Sequence, residues 1–174
     1  MKQSYVRWFV ILILCLEILS LLHGCGKELE ESTLPLAPNF TLQTIDGQEV
    51  TLSNLKGKVI LLDFWATWCG PCRESIPHLI QLHRTYQKDG LEVIGMNVEK
   101  GDMDGVRRFV KSMDIPYPIV SSPDDVQRDY RVSSLPTSIF IDKQGRIREK
   151  MVGFTSEIAK RMTARAVTFL SEKP

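Results

Sequence analysis

Cys69 and Cys72 stand three positions apart, with Gly70-Pro71 between them and Trp68 in front. A thiolate attacks disulfides, and a second thiol three positions along a helix can close a ring with the first. The chemistry this pair could carry is dithiol exchange. Cys69 would attack a substrate disulfide and form a mixed disulfide. Cys72 would then attack Cys69 and release the reduced substrate. A helix pattern starts at Gly70, so Cys69 falls at a helix start, where unpaired N–H groups and the positive dipole end favour the thiolate. A thiol with a pKa near 8.5 is only about 3% ionised at pH 7, and one near 7 is about half ionised. Lower basicity also weakens the nucleophile, removing about five-fold of that roughly fifteen-fold gain. Fixed geometry in the second step therefore supplies most of the advantage.

Two other readings of the pair fit less well. Half a structural zinc site needs a second ligand pair, and the sequence has none. His78 and His83 are five apart, which does not turn both toward one ion on a helix, and His83 reads as a residue packed near the core. An inert buried pair conflicts with a strand-to-helix junction, which should expose it. The site residues therefore include no metal ligand, and the chemistry calls for no cofactor.

The elements that must position the pair follow from patterning. Val59 to Trp65 is a nearly continuous apolar run, suited to a central strand buried on both faces. After Gly70, the residues Ile76, Leu79, Ile80, His83 and Tyr86 share a helical stripe. Pro77 should kink that helix and Asp89-Gly90 should end it. Before the run, Pro38 to Leu42 and Glu49 to Leu52 flank Asp46-Gly47 as a small hairpin. After it come a strand at Leu91 to Val98, a helix at Asp102 to Met113 with Val106, Phe109, Val110 and Met113 inward, and a short strand at Tyr117 to Val120. Ser122-Pro123-Asp124-Asp125 reads as a helix start with Ser122 as cap and Pro123 in the first helical position. That helix ends near Tyr130. Thr137 to Asp142 and Ile147 to Gly153 form a second hairpin, and Thr155 to Leu170 closes the chain as an amphipathic helix. The sum is an α/β domain with a mixed central sheet and helices on both faces.

The chain has 174 residues, 43% hydrophobic and 25% charged, with net charge +1. That suits one globular domain and offers no basic field for nucleic acid. Of the four cysteines, Cys15 and Cys25 lie in or beside an N-terminal apolar stretch. Lys2 and Arg7 precede an apolar run from Trp8 to Leu22, the pattern of an export signal. As a helix the run would span about 22 Å, short of a bilayer core of roughly 30 Å. Leu21-Leu22-His23-Gly24-Cys25 resembles a bacterial lipoprotein signal, with Cys25 as the acylated N-terminus. An uncleaved anchor and an ordinary cleaved signal remain alternatives. Residues 1–25 are thus read as the signal or anchor, 26–37 as a solvated linker, and 38–174 as the domain.

Asp63-Phe64-Trp65-Ala66-Thr67-Trp68-Cys69-Gly70-Pro71-Cys72, with Pro77 following, resembles the thioredoxin superfamily. The N-terminal hairpin, the helix-strand insertion near 102–120 and Leu135-Pro136-Thr137 resemble its TlpA/ResA-like membrane-tethered thiol-disulfide oxidoreductases. The resemblance implies a thioredoxin-like fold, with Cys69 as nucleophile and Cys72 as resolving cysteine. It also implies that Trp68 flanks the site, that Pro136 is cis, and that Leu135 offers backbone hydrogen bonds to an extended substrate. The implied enzyme is a protein-disulfide reductase outside the cytoplasm, in the bacterial cell envelope. It would be tethered to the membrane by its N-terminus and fed by a transmembrane thiol donor. Its substrates would be exported disulfide-containing proteins, with apocytochrome c among them. The alternatives are a disulfide oxidase or isomerase on the same fold, and a thiol peroxidase, whose Pro-x-x-x-Thr-x-x-Cys motif is absent.

One position departs from the family. Its usual Glu three residues after the second cysteine is Ser75 here. Glu74 cannot stand in, because two residues turn a helix by about 200°. Asp63 ends a run of buried aliphatics at the place where thioredoxins bury an Asp. Burial should raise its pKa, so that it could take the proton from Cys72. The plainer alternative is a solvated Asp at a strand end.

Overall fold

The computed structural model describes residues 34–101 and 103–173. The readings of the export segment, Cys15, Cys25 and the linker up to residue 33 lie outside the described residues.

A five-stranded sheet forms the centre: β3 (Val59–Trp65), β4 (Leu91–Asn97), β5 (Ile119–Ser121), β6 (Thr137–Ile141) and β7 (Ile147–Val152). They lie in the order β5-β4-β3-β6-β7, and β1 (Thr41–Gln43) pairs with β2 (Glu49–Thr51) in a separate two-stranded sheet. The β3–β4 and β4–β5 pairs are parallel. The β3–β6 and β6–β7 pairs are antiparallel. The sheet is mixed, with a thioredoxin-like plan.

All seven residues of β3 are buried, as a strand covered on both faces requires. Its side chains alternate. Leu61 and Trp65 join one cluster with Cys72, Ile76, Leu79, Met162 and Phe169, on the face covered by α1 (Gly70–Tyr86) and α4 (Ser156–Ser171). Ile60, Leu62 and Phe64 join the other with Val126 and Tyr130, beneath α3 (Asp124–Asp129). Helices therefore cover both faces. Each aliphatic side chain so buried contributes roughly 1.5–3 kcal/mol. The period of two also decides where Asp63 points: toward α1, with Leu61 and Trp65.

Helix α1 runs unbroken through Pro77. Gly90, at φ 102°, turns the chain into β4. Helix α2 (Asp104–Ser112) packs its Phe109 ring 5.5 Å from that of Trp65. The start of α3 differs from expectation. The cap position belongs to Pro123, and no side chain caps the helix. The Ser122 N–H instead donates to the Asn97 carbonyl at 2.7 Å, which extends the sheet edge by one residue and buries the hydroxyl. Thr155 does cap α4, its hydroxyl accepting from Ile158 N–H at 3.2 Å. At the other end of the domain, Pro35 and Ala37 bond to Ile147 and Gly145, so the fold takes up the chain by Pro35.

Candidate active site

Cys69 occupies the cap position of α1 with extended backbone, and its sulfur accepts from the Cys72 N–H at 3.3 Å. This is the helix-start setting that favours a thiolate on Cys69. The two cysteines are joined in a disulfide, S–S 2.02 Å. The pair is less open than a strand-to-helix junction suggests: Cys69 is 6% exposed and Cys72 0%. Cys72 lies on the buried stripe of α1 with Ile76 and Leu79, so the helix carries it inward while Trp68, 71% exposed, stands at the rim.

Asp63, 1% exposed, lies on the sheet face that α1 covers. Burial raises its pKa from 3.8 to about 7, partly offset by the hydrogen bond that Ser138 Oγ donates to Asp63 Oδ1 at 2.7 Å. Tyr117 is pushed well above the usual range, first by burial and then by the charge of Asp63. The solvated alternative for Asp63 is thus excluded. Ser75 is fully buried and turns its hydroxyl back to the Cys72 carbonyl at 2.8 Å, and Glu74 is exposed.

The Leu135-Pro136 bond is cis. Thr137, the next residue, pairs with Phe64, so register brings Pro136 to the sheet end from which the cysteine turn leaves. The Pro136 carbonyl accepts from Gly153 N–H at 2.8 Å, with Leu135 half-buried beside it. Trp68, Leu135 and Pro136 therefore gather at one end of the sheet.

Sequence reasoning missed a brace on this turn. The Glu99 carboxylate accepts from Thr67 N–H at 2.7 Å and from Thr67 Oγ1 at 2.9 Å. Asn97 Nδ2 donates to the same carboxylate at 3.1 Å. An acidic residue just past a strand, level with the motif, was the available signal. Phe109 adds a second brace, with the Arg73 guanidinium 5.7 Å from its ring centroid. No group of three or more His, Cys, Asp or Glu among the described residues could hold a metal ion.

A mixed sheet carrying a helix-capping cysteine pair beside a cis-proline defines a thioredoxin-like dithiol protein. The AhpC/TSA family profile matches residues 35–150. A thiol-disulfide oxidoreductase ResA of Bacillus cereus is 34% identical over 150 residues, 84% of this chain and 86% of the relative. ResA of Bacillus subtilis (strain 168) is 35% identical over 160 residues, 90% of this chain and 88% of the relative. Among solved structures, a thiol:disulfide interchange protein of the thioredoxin family from Chlorobium tepidum TLS superposes with TM-score 0.72 at 28% identity, covering 79% of this chain and 97% of that one. The chain belongs to the AhpC/TSA family and to its ResA-like thiol-disulfide oxidoreductases. It is an enzyme of protein thiol–disulfide exchange.

Proposed function

We propose that this enzyme reduces disulfides of exported proteins outside the cytoplasm, tethered to the bacterial envelope membrane through its N-terminus. Cys69 is the nucleophile, Cys72 the resolving thiol and Asp63 the base that takes the Cys72 proton. Trp68, Leu135 and Pro136 receive the substrate segment. The observation that carries this reading is the unequal burial of the two cysteines at the start of a helix that covers a buried carboxyl. Only Cys69 has a rim that a protein disulfide can approach, and Cys72 can react only inward, with Cys69.

In the resolving step the Cys72 thiol gives its proton to the Asp63 carboxylate. The resulting sulfur anion attacks Cys69 Sγ, the bond from Cys69 to substrate breaks, and the substrate thiolate leaves to be protonated. The substrate disulfide gains two electrons and the enzyme becomes the disulfide seen here. A transmembrane thiol carrier returns it to the dithiol. Gly70-Pro71 between the cysteines favours the reducing direction, and apocytochrome c, with its cysteine pair, fits the substrate class. Cys25 is the proposed lipid anchor.

Expression of Cys72→Ser in the native host tests the reading. Mixed disulfides through Cys69 to exported cysteine proteins, recovered with the membrane fraction, are expected. Adducts to cytosolic proteins alone would overturn the location, and a reduction potential above about −150 mV would overturn the reducing direction.

A further inference from the structure

We propose that Ser138 is a positioning residue for the proton transfer. Its hydroxyl holds the Asp63 carboxyl and sets how readily that carboxyl accepts the Cys72 proton. The inference rests on the reading of Asp63 as base and adds the group that tunes it.

Sheet register places Asp63 between Gly95 of β4 and Ser138 of β6. Gly95 brings no side chain, and the room for one is filled. A Cβ there would lie 2.4 Å from Ile119 Cδ1, 3.0 Å from Trp65 Nε1 and 3.4 Å from Tyr117 Cε2. A side chain at position 95 therefore has no room beside the carboxyl. Ser138, itself 1% exposed, faces it directly, with its Oγ 2.7 Å from Asp63 Oδ1. The titratable groups on this side are Cys72 from α1 and Tyr117 from the stretch before β5, with His83 of α1 behind it at a ring separation of 5.9 Å. Burial keeps Tyr117 in its neutral phenol form and lowers the pKa of His83. The strands β4 and β6 contribute no titratable group at Gly95 and Ser138. No cation pairs with Asp63 among the described residues.

A hydroxyl suits this place for a physical reason. A lysine or arginine would hold Asp63 ionised and weaken it as a base. Ser138 donates to the carboxylate before the transfer, and its lone pairs can accept from the acid afterwards. It also counters the burial that opposes ionisation. Without it the carboxyl would be protonated over a wider pH range, and a smaller fraction of it could take the thiol proton at neutral pH.

The test measures resolution of a preformed mixed disulfide against pH in the full chain, together with the Asp63 carboxyl titration followed by NMR in the disulfide form. Ser138→Ala should move both alkaline by about one pH unit and slow resolution at pH 7 by roughly five-fold. Ser138→Thr, which keeps the hydroxyl, should restore both. In an Asp63→Asn background, Ser138→Ala should add nothing. An unmoved titration in Ser138→Ala, an equal shift in Ser138→Thr, or a persistent effect in the Asp63→Asn background would overturn the role of Ser138. If Asp63→Asn itself leaves the pH limb of resolution intact, the reading of Asp63 as base fails instead.

Discussion

Cys69 and Cys72 share one ring but not one environment. Cys69 caps a helix, retains a narrow opening beside exposed Trp68, and hangs from a turn that Glu99 braces through Thr67. Cys72 is sealed, on the buried stripe of the helix that covers the sheet face carrying Asp63. The difference teaches how the work divides. In the proposed mechanism the outer sulfur is activated by backbone dipoles and needs no side-chain base, because its proton can leave to water while it waits in the dithiol state. The inner sulfur has no such exit, so in that mechanism its proton goes to a group inside the protein.

The largest effect should come from exchanging the two sulfurs for oxygen in turn. Cys69→Ser should abolish reaction with substrate disulfides, by about 10³-fold or more. Cys72→Ser should leave mixed-disulfide formation within a few-fold and stall there. Rapid acid quench and mass measurement separate the two, and equal loss of the first step in both variants would break the division.

A second prediction concerns stability. Asp63 has a folded-state pKa of about 7 against an ordinary 3.8. The unfolded chain ionises first, so stability should be greatest below about pH 4, fall as pH rises through about 7, and level off above. The total is on the order of 4 kcal/mol. Asp63→Asn should remove the fall, so its gain over the parent protein should be larger at pH 8 than at pH 4 in urea unfolding. A gain independent of pH would contradict the buried acid.

A smaller effect is expected on the outer side. Glu99→Ala frees the Thr67 N–H and loosens the turn, costing about 1–3 kcal/mol and slowing mixed-disulfide formation several-fold. Resolution should change less. A stopped-flow comparison in which resolution suffers more would place Glu99 with the inner sulfur instead.

Much of this division was legible in the chain. An apolar run ending at a helix pattern marked β3, and the place of Asp63 at the end of that run marked it as a buried acid. The cysteine spacing marked the chemistry. What could not be read depended on contacts between distant residues. Ser138 meets Asp63 across 75 positions, and Glu99 meets Thr67 across 32. Both partners are ordinary polar residues until the sheet aligns them. Ser122 misled for a related reason. Its Ser-Pro-Asp-Asp context is a sound local helix start, but a backbone bond to Asn97 claimed the residue for the sheet. The depth of the cysteines was also hidden, since spacing places Cys72 on a helix face and only packing shows that the face is the core.

The central claim is that the inner sulfur alone relies on Asp63. The most direct measurement is the pH dependence of mixed-disulfide formation and of its resolution, taken separately in the parent protein, Asp63→Asn and Ser75→Ala. Resolution should rise with pH through about 7 in the parent and in Ser75→Ala. In Asp63→Asn it should lose that limb and slow by roughly 10²-fold at neutral pH, with formation little changed. Equal, small effects of the Asp63 and Ser75 substitutions on resolution would contradict the claim.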